Sequence, residues 1–185
     1  MIVLAAAFFT FACRDDPPEK EMQQAQGAID AARAAGADQY AHDELVAAND
    51  ALKHAREAVE ERDYRLALNH ALDSREHAQN AAKAAADNKA IARADADRAL
   101  LDAAAILAEA RGRLRAPEAS HAPARALIVR RTIVDTEAAV QKASASFKKG
   151  DYKAVITDLR TVTGRLRTAT RDLENATTPA ARRRR

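Results

Sequence analysis

Five side chains in one stretch of the chain have a spacing that could bind a metal ion: His54, His70, Asp73, Glu76 and His77. Residues three, four or seven apart share one face of a helix, and imidazole and carboxylate groups are common zinc ligands. The stretch contains neither a His-Glu-x-x-His motif nor a cysteine. The pattern therefore favours exposed helix histidines over a metal centre, and we predict no metal and no other cofactor.

Motifs for other chemistry are weaker still. Serine, histidine and aspartate all occur, but no Gly-x-Ser-x-Gly motif places a nucleophile on a sharp turn. The sequence has no glycine-rich phosphate loop, and the pair Gly150-Asp151 is explained by the end of one helix and the cap of the next. We therefore predict no catalytic residue and a protein that is not an enzyme.

The only cysteine, Cys13, lies where the apolar run 1–12 gives way to Arg14-Asp15-Asp16-Pro17-Pro18. This boundary is typical of a bacterial lipoprotein signal peptide, in which the cysteine is lipidated and becomes the first residue of the mature protein. A membrane-spanning helix needs about 20 apolar residues, and this run is shorter. We predict a signal peptide over 1–12, lipid attachment at Cys13, and a spacer over 13–18.

The signal departs from the usual pattern at several positions. No basic residue precedes Arg14, and Thr10 and Phe11 stand where an aliphatic and a small residue are usual. Two alternatives therefore stay open: a signal peptide that is cleaved elsewhere without lipidation, or a buried structural cysteine in a helical protein.

Composition indicates long, solvated helices. Of the 185 residues, 48% are hydrophobic and 31% charged, aromatic residues make up 4%, and glycine and proline number five each. Alanine, the best helix former, supplies most of the hydrophobic share. A single cysteine cannot form an internal disulfide, so helix packing alone must hold the fold together.

Helical periodicity organises residues 19–115, a predicted N-terminal hairpin with one long helix. Helices are expected over 19–35 and 42–62, and the carboxylate of Asp63 is suited to cap the next helix. That helix meets no glycine or proline before Gly112, so it could run for about 50 residues, roughly 75 Å, with Asn88 as its weakest point. The predicted buried faces carry Leu45, Ala48, Leu52, Ala55 and Val59, then Ala67, Ala71, Ser74, Ala78, Ala81 and Ala85.

Residues 116–123 form a predicted linker, 124–176 a C-terminal helical hairpin, and 177–185 a disordered basic tail. Gly150-Asp151 turns the chain between the two C-terminal helices, which must fold back antiparallel. Their predicted buried faces carry Val129, Ile133, Thr136, Val140, Ala143 and Phe147, then Val155, Leu159, Val162, Leu166, Ala169 and Leu173.

An internal repeat relates the two hairpins at an offset of 88 residues. Residues 61–67 match 149–155 around a shared Asp-Tyr pair, and the buried faces align at the same offset. Tyr64 and Tyr152 are interpreted as structural residues that close the open end of each hairpin. The alternative, a ligand-binding pair of tyrosines, is the less favoured interpretation.

Residues 28–45, followed by Ala48, Leu52, Ala55 and Asp63-Tyr64, resemble a family of bacterial envelope lipoproteins. Its members carry an alanine-rich helical domain of unknown function with the pattern Ala-Gly-Ala-x-x-Tyr-Ala-Pro-x-Glu-Leu. The resemblance covers about residues 23–85, and His42 replaces the expected proline. It implies placement in the cell envelope and supplies no activity.

The terminal run Arg182–Arg185 accounts for much of the formal net charge of +3. Such a tail could contact anionic lipid headgroups or acidic polymers, each charge contributing about 1 kcal/mol near an anionic membrane. A solubilising end is the favoured alternative. We predict no nucleic-acid partner, because that role usually needs a wider basic face with aromatic residues.

Together these features predict an all-α protein, an elongated antiparallel bundle of two hairpins with alanine-rich, coiled-coil-like contacts. The expected function is that of a non-enzymatic envelope lipoprotein, a scaffold anchored by Cys13 to the outer membrane and facing the periplasm. An envelope protein, an envelope polymer or a second copy of the chain would be its partner. The alternative is a soluble extracytoplasmic helical-repeat module that binds a peptide, although such repeats usually recur at about 34 residues.

Overall fold

The computed structural model describes residues 16–177, with side chains at all of these positions except 117 and 118. This part of the chain is 91% helical and contains no strand, which confirms the predicted all-α fold of packed helices. Its elements are α1 (Glu19–Ala34), α2 (Ala37–Tyr40), α3 (His42–Glu60), α4 (Tyr64–Arg115), a 3₁₀ helix (Pro117–His121), α5 (Pro123–Lys148) and α6 (Tyr152–Thr177). The signal peptide, Cys13 and residues 178–185 of the predicted tail lie outside the described residues.

Helix α4 is continuous through Asn88, the position at which the sequence suggested a break. The Asn88 side chain donates from Nδ2 to the backbone oxygen of Tyr40 at 2.7 Å. The chain divides into two compact units at this residue, unit 1 ending with Asn88 and unit 2 beginning with Lys89. Each unit therefore contains one half of α4 and the helices that pack on that half.

Unit 1 consists of α1, α2, α3 and the first half of α4. Pairs of contacts set the helix directions. Gln26 and Arg33 on α1 bind Arg56 and Asn49 on α3, in reversed order along the chain. Likewise, Glu44 and His54 on α3 contact His77 and His70 on α4. Helix α3 thus runs antiparallel to both α1 and α4. The centre of this unit is built mostly of alanine, which lets helix backbones approach closely, and it includes Ala25, Ile29, Ala32, Leu45, Ala48, Leu52, Ala55, Ala67, Ala71, Ala78, Ala81 and Ala85.

Unit 2 repeats this arrangement with larger core side chains. Helices α5 and α6 form an antiparallel hairpin, tied near its turn by Lys142 and Asp158 and farther away by Arg125 and Asp172. The second half of α4 packs along the same hairpin. The core residues include Ile106, Leu107, Ala110, Val129, Ile133, Leu166 and Leu173 in one cluster and Ala96, Ala103, Ala143, Val155 and Leu159 in another.

The predicted linker 116–123 contains local structure, because residues 117–121 form a 3₁₀ helix. Ala119 is 6% exposed and belongs to the core of unit 2. Pro123 then begins α5, where the missing N–H of a proline costs no helical hydrogen bond. This segment therefore packs as part of unit 2.

The two interhelical turns confirm the 88-residue repeat in backbone detail. Helices α3 and α5 end at residues 88 apart, and α4 and α6 begin at residues 88 apart. In the first turn the N–H groups of Asp63 and Arg62 donate to the carbonyls of Ala58 and Val59 at 2.9 and 3.0 Å. The residues at the same offset in the second turn repeat both bonds. This pattern is a Schellman motif, which closes a helix through one residue in the left-handed conformation.

The predicted buried faces are largely confirmed, with shifts of one residue. Ala58 replaces Val59 as the buried residue at the end of α3. On α6, Thr163 and Thr170 are buried, while Val162 and Ala169 are only half-buried. A straight helix turns once per 3.6 residues, so a strict heptad pattern drifts around its surface.

Candidate functional site

The predicted attachment point, Cys13, lies just before the first residues that the structure describes. Pro18 is already buried in unit 1, and its carbonyl accepts from the N–H of Met22 at 3.0 Å. Five residues fully extended span at most about 17 Å. A lipid on Cys13 would therefore hold unit 1 close to the membrane surface, with Arg14 to Pro17 as the connecting segment.

The histidine and carboxylate residues are distributed over two places in unit 1. The rings of His54 and His70 lie 5.6 Å apart, and His54 Nδ1 is 3.0 Å from Glu57 Oε2. This hydrogen bond lowers the pKa of the exposed Glu57 carboxyl. His77 instead reaches across to α3, where its Nδ1 lies 2.9 Å from Glu44 Oε2.

Between residues 16 and 177, no three histidine, cysteine or acidic side chains converge in a geometry that could hold a metal ion. The pairs that do form join one imidazole to one carboxylate at the surface. Solvent screens such exposed pairs, so each contributes little to the stability of a helix or of the contact between two helices. We therefore assign these histidines to surface contacts.

Tyr152 packs as the sequence analysis expected of a structural residue. Its ring centre lies 5.2 Å from that of Phe147, with the planes tilted by 60°, so the two rings cover the end of the α5–α6 hairpin. Tyr64 is half-buried at the equivalent position of unit 1, where Val59 replaces the phenylalanine. The two tyrosines belong to separate turns, each within its own unit.

Clefts on the described surface have mixed linings. One of about 440 Å³ opens in unit 2 beside the 3₁₀ helix, between Leu114, Arg115 and Arg130. Another, of about 210 Å³, runs between α4 and α6 and is lined by both arginines and aspartates. Ser120 lines the first cleft, and its Oγ lies 3.4 Å from Nδ1 of the adjacent His121. This separation is longer than the roughly 3.2 Å limit expected between a nucleophile and the base that activates it.

Charge is segregated between the two units, a feature that the motif analysis of the sequence missed. Residues 16–88 contain 8 lysines and arginines against 15 aspartates and glutamates, whereas residues 89–177 contain 17 against 11. Unit 1 is therefore acidic and unit 2 basic. The near-neutral net charge of the whole chain conceals this difference. Counting charged residues separately in each half of the sequence would have revealed it.

None of the helices between residues 16 and 177 combines the length and the apolar character needed to cross a membrane. A comparison of the chain with known protein families, curated proteins and solved structures finds no match.

Proposed function

We propose that this protein is a non-enzymatic lipoprotein of the bacterial cell envelope, a helical scaffold anchored through Cys13. The observation that carries the proposal is the position of Pro18, the first buried residue in the described range 16–177. Pro18 packs into unit 1 only five residues after Cys13, and α1 begins at the next residue. A lipidated Cys13 would thus lead almost directly into a folded helical unit.

The residues on both sides of Cys13 support the same proposal. An apolar run of twelve residues precedes the cysteine, and a charged, proline-containing segment follows it. The resemblance of residues 23–85 to envelope lipoproteins favours the same placement. Arg14 directly after the cysteine is compatible with sorting to the outer membrane, on the face directed toward the periplasm.

A scaffold role accords with the surfaces of the two units. Helices α3 and α5 each expose a long outer face, and apolar side chains on these faces, such as Val46 and Val134, are more than 40% exposed. Exposed apolar residues on rigid helices are suited to contact a partner protein. Unit 1 would then present its binding surface close to the membrane.

Metabolic labelling with palmitate in a bacterial expression host tests the anchor. We expect label on the native chain, accumulation of the unprocessed precursor in globomycin, and loss of label in Cys13→Ser. Asp16→Ser is a matched control, because it introduces the same side chain nearby and leaves the thiol in place. Label retained by Cys13→Ser, or processing insensitive to globomycin, would refute the lipoprotein proposal.

The location and the scaffold role need separate measurements. Fractionation of inner and outer membranes should place the labelled protein in the outer membrane, and recovery in the inner membrane would contradict that placement. Crosslinking in intact cells should then capture the same envelope partner repeatedly. If the protein crosslinks to no envelope component under these conditions, the scaffold role is wrong.

A further inference from the structure

The 88-residue repeat places two exposed stripes of opposite charge at matching positions on α3 and α5. We define the acidic stripe as Asp43, Asp50, Glu57, Glu60 and Glu61, which lie on one face together with Val46 and Lys53. We define the basic stripe as Arg131, Lys148 and Lys149, which lie on one face together with Val134. The exposed Asp135 lies beside Arg131 at the edge of this face.

The charge reversal between the stripes follows the repeat at their ends, whereas Asp50 and Glu57 in the middle of the acidic stripe align with Ala138 and Ala145. At the offset of 88 residues, Asp43 corresponds to Arg131, and Glu60-Glu61 correspond to Lys148-Lys149. Val46 and Val134 correspond at the same offset, and they are 42% and 62% exposed. The two stripes thus share a layout of charges at both ends with an exposed valine between them.

Most of these charges have no partner within the described part of the chain. No described side chain forms an ion pair or hydrogen bond with the side chains of Asp43, Glu60, Glu61, Arg131, Lys148 or Lys149. Other charges of unit 2 are paired: Lys142 binds Asp158 at 2.8 Å, and Arg111 binds Glu137. The two stripes therefore offer their charges to solvent or to a partner.

We propose that the acidic stripe of one copy of this protein docks against the basic stripe of a second copy. In each stripe the end charges are 17 residues apart along a helix, or about 26 Å at 1.5 Å per residue. The acidic and basic ends consequently come into register together when α3 of one copy lies alongside α5 of the other. This holds for parallel and antiparallel alignment, because both ends of a given stripe carry the same sign.

The matched spacing favours a second copy over an anionic surface as the partner. An anionic membrane would account for the basic stripe and leave the acidic stripe at the equivalent position without a role. A second copy uses both stripes. Because the contact joins two different surfaces, each copy keeps one stripe available, and further copies can add in the same way.

The contact should be weak and strongly dependent on salt. Two helices in contact over about 26 Å bury less than the area of a standard stable interface. Exposed ion pairs each contribute little, and about 1 M salt screens them within roughly 3 Å. This inference goes beyond the scaffold proposal and does not depend on lipidation, so the full chain carrying Cys13→Ser is suitable for the test.

Sedimentation velocity over a range of protein concentrations tests the contact directly. At low salt, about 0.05 M, we expect the average mass to rise with concentration, and at about 1 M salt to stay at that of the monomer. The triple variants Asp43→Lys/Glu60→Lys/Glu61→Lys and Arg131→Glu/Lys148→Glu/Lys149→Glu should each weaken association by about tenfold or more. These positions are exposed, so both variants should keep the native thermal melting temperature to within a few degrees.

Mixing the two triple variants provides the decisive result. The first variant has basic residues at the ends of both stripes, and the second has acidic residues there. Each should therefore associate weakly with itself, and an equimolar mixture should associate more strongly than either variant alone. The variant Asp38→Lys/Asp73→Lys/Asp87→Lys is the matched control, since it changes the charge of unit 1 equally at exposed positions outside the stripe. This control should associate like the native chain.

Four outcomes would overturn the proposal. These are a native chain that stays monomeric at low salt, association that survives either stripe reversal, a mixture that fails to associate, and a control weakened as much as the stripe variant. A monomeric chain that binds phosphatidylglycerol vesicles, and loses that binding in Arg131→Glu/Lys148→Glu/Lys149→Glu, would assign the basic stripe to a membrane instead.

Discussion

Replacing Arg62 with glycine should stabilise the protein, because Arg62 occupies a backbone conformation that disfavours a side chain. Its φ is +59°, and it is the one non-glycine residue between 16 and 177 with a positive φ. At the equivalent position of the second turn the chain has Gly150, with φ +83°. The two turns form the same hydrogen bonds, so they provide an internal comparison of arginine and glycine in one geometry.

The expected gain follows from two opposing contributions. The left-handed conformation costs an ordinary L-residue roughly 1–2 kcal/mol, and glycine avoids this cost. Glycine in turn gives the unfolded chain more conformational freedom, which offsets about 0.5–1 kcal/mol. Arg62→Gly should therefore stabilise the fold by about 0.5–1 kcal/mol, which corresponds to a rise in melting temperature of roughly 1–4 °C for a chain of this size.

Two further variants separate the backbone contribution from the loss of a charge. Arg62→Ala removes the guanidinium and retains the Cβ, so it should change the melting temperature by less than about 1 °C. Gly150→Ala introduces a Cβ that would meet no atom within 4 Å, so its cost of about 1 kcal/mol should come from the backbone alone. Thermal unfolding followed by circular dichroism measures all three variants.

Equal stabilisation by Arg62→Gly and Arg62→Ala would refute the backbone explanation, because the loss of charge would then be responsible. An unchanged melting temperature in Gly150→Ala would refute it as well. In that case the second turn would accommodate a side chain without strain, and the positive φ could not be the source of the effect.

Three other predictions concern packing and ionisation. Leu159→Ala should destabilise the protein by about 2–5 kcal/mol, because the leucine is 1% exposed. Val162→Ala, at a half-buried position, should cost about 1 kcal/mol. Equal losses of stability in chemical denaturation would show that the buried face of α6 is misassigned. Ser74→Ala should cost about 1–2 kcal/mol of stability, because the buried hydroxyl donates to the carbonyl of Ala48 on the neighbouring helix at 2.7 Å. The control Ser144→Ala removes a hydroxyl that bonds within its own helix, and it should cost less than about 0.5 kcal/mol. A larger loss in Ser144→Ala than in Ser74→Ala would contradict a stabilising role for the bond between helices. His54→Ala should raise the pKa of Glu57 toward its ordinary value, as measured by NMR titration of the carboxyl carbon, and an unchanged pKa would exclude His54 as the cause.

The sign of the Glu57 effect also fixes its pH dependence. A carboxyl whose pKa is lower in the folded state stabilises the fold above its ordinary pKa, and this contribution is lost as the pH falls through the lowered value. The carboxyl is exposed, so solvent screens the interaction and the effect on stability should be small. The NMR titration is consequently a sharper measurement than acid unfolding.

Helix positions could be predicted from the sequence wherever a turn residue marked them. Asp63 was expected to cap α4, and its Oδ1 accepts from the N–H of Leu66 at 2.9 Å. Helix α2 was missed, because four residues between Gly36 and Ala41 are too few to show a helical period. Its last residue, Tyr40, is nevertheless buried.

The grouping of helices into two units could not be predicted in the same way. Periodicity identifies which face of a helix is buried, but it does not identify the helix that covers that face. The turn at Gly150-Asp151 indicates that α5 pairs with α6, but no sequence feature assigns the second half of α4 to them. Alanines at Ala96 and Ala103 complete that packing, and the same residue type would suit many other neighbours.

Some candidate functional residues could likewise be predicted from the sequence, and others only from the packed helices. Cys13 could be identified from the sequence because its predicted role as a lipid-attachment site depends on the residues next to it in the chain. The two charged stripes depend on which faces stay exposed after the helices have packed, and residues such as Arg111 and Lys142 are as basic as Lys148. Only the packed structure separates the charges that pair internally from those left available at the surface.

The comparison of the two repeats indicates where selective recognition would be built into this protein. The turn hydrogen bonds, the Asp-Tyr pair and most positions of buried residues are shared at an offset of 88, and these features determine the backbone. The outer faces of α3 and α5 differ in sign at both ends, although an exposed charge contributes little to stability in either sign. Because the fold does not require this reversal, the stripes are better explained by contact with another molecule than by the packing of the helices on which they lie.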